Sequence, residues 1–445
     1  MVEVIPFKGL IYNKDKIINF ANVIAPPYDV INDKQKTFLK NLSQYNIVNL
    51  TLPEEDKNLN KYQTAQNIFS EWLRKKILKF DSNEYFYIFE ENYNEDNICK
   101  KISGFIGLLK IQDYGQPNGI LRHENTLSKP KEDRLNLLRS CRANFEFIYT
   151  LYDDKDYKIA SILEQTKKDS SPKINIVAPY DSNLNFRLWK IFDSEQKKEI
   201  VNLMKPKTLL IADGHHRYET SLLYKKEIEK VKGNFLKPED YILSLFISYN
   251  QKDVSIHPTH RVIKFQNNLT INQIINILSN YFNIEEIDFS EDSIKKSMQN
   301  YYCIYLKNRK NTNLIRTIPI CICDKNEKCY LAVLNCNLLN IYKNLGIPFE
   351  NSIEEFEFLD VNILHKFIIE NLLKNFKIEE VSFFHNINEV KNALKESKVN
   401  SSFGFILNNP DIETIVKLAN KGMLMPQKST YFYPKPCSGL VIYKF

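Results

Sequence analysis

The chain has 445 residues, 43% of them hydrophobic and 12% aromatic, which is enough for two or three domains with buried cores. Its 61 basic and 54 acidic residues leave a formal charge of +7, too weak a global field to argue for nucleic acid or an anionic membrane as partner. The start, MVEVIPFKGL, lacks a charged segment followed by an apolar one. No apolar run reaches the roughly 20 residues of a membrane-spanning helix, so a cytoplasmic protein is expected.

In chain order, ANVIAPPYDVIND carries Pro26 and Pro27, which force an extended path before Tyr28 and Asp29 and predict a rigid loop entering a helix. Residues Tyr62 to Leu78 place Ala65, Ile68, Phe69, Trp72 and Leu73 at helical spacing, and YFYIFEENY and KISGFIGLLKI read as strands around a polar turn. From Gly115 to Asn144 the chain is dense in charge and turn formers before it becomes helical, the character of a functional loop. Thr208 to Ala212 predict a buried strand that breaks at Gly214, followed by a helix to about Val231. YILSLFISYN predicts another strand, Asn267 and Asn268 mark a boundary, and strands and helices alternate beyond it. The expected fold class is mixed α/β, in three segments: 1–150, 151–266 and 267–445.

Cys321, Cys323, Cys329 and Cys336 lie close together, but C-x-C is tighter than the usual zinc-knuckle spacing and no histidine is near. On a strand the first two would share one face, which favours core packing.

Three constellations carry chemistry. In IADGHHRYET, a strand ending in Asp213-Gly214 and turning into a helix leaves the amides of His215, His216 and Arg217 free for an anion. Arg217 adds a bidentate donor, and Asp213 can hold a divalent cation or orient a hydroxyl. Adjacent histidines at a helix start diverge by about 100°, so joint chelation is awkward and a phosphate cradle fits better. In RHENTLSKPKEDRLNLLRSCRANF, His123 and Glu124 form a candidate acid/base pair, and Lys129, Lys131, Arg134, Arg139 and Arg142 supply cations. Arg134 and Arg142 fall on one helix face, Arg139 elsewhere. The alternative there is a solvated amphipathic helix. HPTHR offers His257, His260 and Arg261, against the alternative of a polar turn. Near the end, KST has no upstream glycines to make a nucleotide loop; Lys428, Ser429, Thr430 and Lys435 can still reach an anion, and Tyr431, Phe432 and Tyr433 suit a packed lid or strand.

FKGLIYN, VIAPPYDVI, YNIVNLTLP, HENTLSKPKEDRLNLLRSCRANF, IADGHHRYET, PTHRVI and MPQKSTYFYPK together resemble the bacterial and archaeal family catalogued as domain of unknown function 1015, over nearly the whole chain. The chain departs from that pattern at Phe186 in NFRLWKI, where the family carries His. The strand-DGHHR-helix element also resembles the phosphate-binding element of the ParB and sulfiredoxin superfamily. His215 stands at the sulfiredoxin cysteine position, which argues against thiol chemistry, and Asp213 to His215 match the Asp-Gly-His start of free serine kinases best.

The resemblance implies a ParB/sulfiredoxin-like nucleotide-binding core in 151–266, elaborated by N- and C-terminal α/β segments. It implies phosphoryl transfer on serine or phosphoserine, as nucleotide-dependent kinase, phosphatase or phosphotransferase. The expected roles are Glu124 as general base with His123 and Asp213 in the catalytic group, and Mg²⁺ on Asp213. Phosphate or nucleotide contacts are expected from Gly214, His215, His216, Arg217, Lys131, Arg134 and Arg142, with His257, His260 and Arg261 closing the pocket. An adenine nucleotide, ATP or ADP, is the expected cofactor, a small phosphorylated molecule the partner, and a homodimer is compatible with this reading. The rival classes are a nucleotide-gated DNA-binding partitioning protein and a non-catalytic metabolite sensor.

Overall fold

The structure is a computed structural model. It describes the chain apart from residues 57, 96, 117, 125, 127, 234, 309–317, 336, 350–353 and 427, and apart from the side chains of 128–130, 302–308 and 354–355. The chain forms two compact units, one made of Met1–Ser255 with Pro434–Phe445 and the other of Ile256–Tyr433.

The first unit is built on a nine-stranded mixed sheet. Its strands are β1 (Val4–Ile5), β2 (Tyr87–Glu95), β3 (Ile98–Lys110), β4 (Ile120–Leu121), β5 (Ile148–Tyr152), β6 (Ile174–Ala178), β7 (Asp181–Lys190), β8 (Leu209–Asp213) and β9 (Tyr241–Ser248). They lie in the order β4-β8-β5-β9-β3-β2-β7-β6, with β1 on β3. Five helices matter here: α1 (Lys61–Arg74), α2 (Ser128–Cys141), α3 (Lys158–Asp169), α4 (Ser194–Met204) and α5 (His215–Lys232). Ile159, Ile162 and Leu163 of α3, Ile200 and Met204 of α4 and Tyr218 of α5 pack with Phe86, Ile88, Phe105 and Phe246 in one apolar core. A second core gathers Ala65, Phe69 and Trp72 of α1 with Leu10, Tyr12, Phe145 and Ile442.

The division expected at 150/151 falls inside β5, which pairs with β8 on one side and β9 on the other. Every residue of β5 is buried, and splitting such a run would expose a central strand. The segment expected as 267–445 likewise returns its end, Pro434–Phe445, to the first unit, where Tyr443 pairs with Asn144. The helix expected to reach Leu78 stops at Arg74; Lys76 takes a positive φ of 55° and Leu78 opens a short strand.

The second unit has a six-stranded sheet of β10 (His260–Phe265), β11 (Phe282–Ile287), β12 (Pro319–Asp324), β13 (Cys329–Leu334), β14 (Ile378–Phe384) and β15 (Ser402–Ile406), in the order β11-β13-β12-β15-β10-β14. Cys321 and Cys323 alternate onto one face of β12 as their spacing predicts and are buried with Cys329 against Ile294, Val390 and Leu394. Cys336 lies outside the described residues. The chain is thus a mixed α/β protein, and among the described residues no helix is long and apolar enough to cross a membrane.

Candidate functional site

β8 is buried from Leu209 to Asp213 because its neighbours cover both edges: β5 runs antiparallel to it and β4 parallel, with Leu209 opposite Ile120. The second pairing carries the chain that follows β4 alongside the strand's end. There His123, 1% exposed, places Nδ1 2.9 Å from the carbonyl oxygen of Ile211. A carbonyl only accepts, so Nδ1 carries the proton and Nε2 is left as an acceptor. Burial holds this imidazole down at about 4, neutral at physiological pH.

At the end of β8 the chain turns at Gly214, whose φ of 92° is a left-handed conformation that glycine takes without strain. An added Cβ there would lie 3.0 Å from Arg217 Nε and 3.0 Å from Ile148 Cγ2. The amide of Tyr218 bonds the Gly214 carbonyl at 2.9 Å, so α5 begins at once and its first amides have no acceptor within the helix. His215, the first helical residue, is 3% exposed and sits edge-to-face on His123 with ring centroids 4.7 Å apart. Its Nδ1 is 3.5 Å from Glu124 Oε1, and its buried Nε2 has no hydrogen-bond partner. Burial, then the neighbouring His123, keeps its pKa well below the ordinary histidine value. His216 is half-buried, and burial lowers its pKa in the same direction.

The carboxylate of Asp213 pairs with Arg217 through Oδ2 and with Lys435 through Oδ1. Burial alone would raise its pKa, but the charges of Lys435 and Arg217 outweigh it and hold the carboxyl well below the usual range. Arg217 also donates from Nη1 to the Phe147 carbonyl, so its fork is fixed by the protein itself. Next to it lies Glu146, 8% exposed, accepting from the Tyr28 amide at 2.9 Å and the Ser438 hydroxyl at 3.0 Å. Burial raises its pKa against the pull of Arg217 and Arg134. Arg134 stacks over the Tyr28 ring at 4.2 Å, donates to the Thr51 carbonyl at 2.7 Å and bonds Asp133 from Nε at 2.9 Å. Arg134, Glu146, Arg217, Thr220 and Ser221 together line a solvent-open pocket of about 440 Å³.

The structure therefore brings together His123, Glu124, Asp213, Gly214, His215 and Arg217, with Arg134 on the same pocket as Arg217. Lys131, on α2, pairs with Glu219 one turn along α5, 3.1 Å from its Oε2. Arg142 does not join them: α2 ends at Cys141, Arg142 takes a φ of 51°, and its side chain turns to Glu239 at 2.8 Å. The expected shared face of Arg134 and Arg142 fails for that reason. Arg139 pairs with Glu227 instead, and the Lys129 side chain lies outside the described residues. His257, His260 and Arg261 belong to the second unit. Glu146 received no role from the sequence, although a lone carboxylate inside the apolar run FEFIYTLY is a readable signal. Lys435 was expected to reach an anion, and the anion it meets is Asp213.

Magnesium on Asp213 does not fit the residues present. Both carboxylate oxygens engage cations, and among the described residues no group of three or more His, Cys, Asp or Glu is placed to hold a metal ion.

A family model described as "Protein of unknown function (DUF1015)" matches residues 4–345. Among curated proteins none matches the chain. Similar solved structures include a free serine kinase in complex with AMP, 14% identical with a TM-score of 0.31, covering 70% of this chain and 83% of that one. A conserved hypothetical protein from Pyrococcus furiosus is 14% identical with a TM-score of 0.29, covering 70% and 86%. C-terminally truncated SbnI from Staphylococcus aureus is 10% identical with a TM-score of 0.32, covering 76% and 86%. Likenesses this slight carry no argument about activity.

Proposed function

The chain belongs to the DUF1015 family, and from the geometry of its first unit we propose that it moves a phosphoryl group between an adenine nucleotide and a small hydroxy amino acid, serine or phosphoserine. The observation that carries this reading is His215. A buried, neutral imidazole with an unpartnered Nε2 stands at the first residue of an eighteen-residue helix, whose positive end favours a phosphate. The resemblance of the Asp213-Gly214-His215 start to the free serine kinases supports serine as the substrate.

Each residue has a distinct task in this reading. The start of α5 holds phosphate oxygens, and Gly214 lets the ligand approach the backbone. A bound nucleotide supplies the phosphoryl donor, or the acceptor in the reverse direction. As the acceptor hydroxyl oxygen bonds to phosphorus, the bond to the leaving phosphate oxygen breaks and that oxygen keeps the electron pair. The hydroxyl proton passes to the Glu124–His215 pair, with the carboxylate orienting Nδ1–H and Nε2 accepting. Arg217 and Lys435 keep Asp213 ionised and fix the strand-to-helix corner. His123, anchored on Ile211, holds the His215 ring in place.

The test is to incubate the purified full chain with Mg²⁺ and each of ATP with serine and ADP with phosphoserine, and to follow phosphorus by NMR. Movement of the phosphate is expected, and Glu124→Gln and His215→Asn should each slow it by about a hundredfold or more. Saturable binding with no phosphate movement would overturn the transfer reading and leave a sensor.

A further inference from the structure

The chain has seven histidines, and three of them, His123, His215 and His216, belong to the site above. The other four, His257, His260, His365 and His385, lie in the second unit, where the charge of one arginine reaches His260 and His365. Arg261, on β10, is 0% exposed. Its Nη1 donates to the Thr259 carbonyl and its Nη2 to the Lys428 carbonyl at 3.1 Å, both uncharged acceptors. Its Nε has no acceptor, and it bonds no carboxylate among the described residues. The Phe383 ring lies 5.5 Å from the guanidinium.

A buried charge without a counter-ion is costly, and charged side chains are almost never fully buried unless paired. Burial pushes the guanidinium down to about 10, still charged at physiological pH. Its charge in turn reaches two imidazoles, for after burial it is the next cause that lowers both His260 and His365. His260 accepts the Leu407 amide at Nδ1, 3.2 Å away, so its proton sits on Nε2 as a donor. His365 lies in the ten-residue π-helix Ile363–Leu372, a helix form that frequently marks functional sites.

Thr259, 1% exposed, has a hydroxyl without a partner and lines a solvent-open pocket of about 530 Å³ with Asp360, Asn408 and Ser429. The carboxylates of that pocket have donors of their own: Asp360 accepts from Asn408 at 2.9 and 2.8 Å, and Asp411 caps the helix Ile412–Asn420. The Arg261 Nε and the Thr259 hydroxyl are buried donors that none of those carboxylates engages, with the His260 N–H beside them. They suit the several oxygens of a tetrahedral group better than the two of a carboxylate.

We propose that Arg261, with Thr259, His260 and His365 beside it, forms an anion subsite of the second unit that takes a phosphate group. This subsite is independent of the transfer chemistry proposed for the first unit. The experiment is to titrate the full chain with inorganic phosphate, and separately with acetate, while following the histidine ring signals by NMR. Phosphate should shift His260 and His365 saturably. Thr259→Val, which keeps the side-chain shape, should weaken that saturation about tenfold, and Arg261→Lys should abolish it. His123 and His215 report the first unit in the same spectra, so the two readings fail separately. Signals of His260 and His365 that ignore phosphate, that follow acetate instead, or that respond unchanged in Thr259→Val would overturn the proposal. Thr259→Val also keeps the test decisive if Arg261→Lys does not fold.

Discussion

His215 and His123 meet edge-to-face, 4.7 Å between ring centroids, at the junction of β8 and α5, and burial keeps both neutral. The sign of the pH dependence follows. A histidine whose folded pKa lies below its unfolded value of 6.5 binds a proton more readily when unfolded, so its contribution is complete above pH 6.5 and is lost as pH falls towards about 4. For His123 the loss amounts to about 3 kcal/mol. His260 and His365, at about 3 and about 4, act with the same sign. Urea midpoints measured from pH 7.5 to pH 4.5 should therefore decline, and the decline should be smaller in His123→Gln. A flat profile would sink the assignment of a buried neutral pair.

Among the described residues Asp213 is the anion that pairs with both Arg217 and Lys435, and replacing it removes their shared partner. Asp213→Asn keeps the shape but leaves two cations with side chains only about a tenth exposed and no carboxylate between them, a loss of about 3–5 kcal/mol. Lys435→Met leaves Arg217 in place and should cost less. Because the Asp213 carboxyl is held below its ordinary value of 3.8, its own contribution persists above that pH and is lost only as pH falls beneath it. Denaturation of the two variants at pH 7 gives the comparison, and equal stabilities for wild type and Asp213→Asn would refute the pairing.

These two residue groups also show how far the sequence could be read. The strand-to-helix corner was legible because an apolar run stopping at Asp-Gly is a local signal, and the observed strand and helix differ from expectation by about one residue at their outer ends. The alternation of Cys321 and Cys323 was legible for the same reason. What escaped was the destination of each charge. Lys435 lies 222 residues from Asp213 along the chain, and nothing local to PKPCSG announces that pairing. Arg134 and Arg217 looked like open phosphate clamps, yet each is held by a carboxylate close by in the sequence, Asp133 and Asp213, and by a backbone carbonyl that only the fold brings near, that of Thr51 and that of Phe147. The break at Arg142 was hidden too, since a left-handed residue other than glycine leaves no compositional mark.

Two glycines separate backbone strain from crowding. Gly346 has a φ of 67° with nothing within 4 Å of an added Cβ, so Gly346→Ala should cost about 1–2 kcal/mol from the left-handed conformation alone. Gly214→Ala meets the same strain and also presses on Arg217 Nε and Ile148 Cγ2 at 3.0 Å, so it should cost more and lower phosphate affinity as Arg217 shifts. Equal destabilisation of the two variants would show that the corner tolerates a side chain.

Arg142 gives the sharpest contrast with the sequence. Its guanidinium is paired with Glu239, which Lys232 also reaches at 3.3 Å, and its side chain is 49% exposed. Glu239 is buried, but the half-exposed arginine is screened by water and contributes about 0–1 kcal/mol, and Lys232 remains to neutralise the carboxylate when the arginine is removed. Arg142→Ala should therefore unfold close to the wild type and bind and turn over phosphate ligands unchanged. Arg134→Ala should differ in every respect, because Arg134 stacks on Tyr28, supports the Thr51 carbonyl and lines the pocket with Arg217. Affinity for inorganic phosphate measured on the two variants side by side decides the matter. A loss in Arg142→Ala as large as in Arg134→Ala would restore the shared helix face that the eight-residue spacing suggested and would contradict the left-handed turn that ends α2.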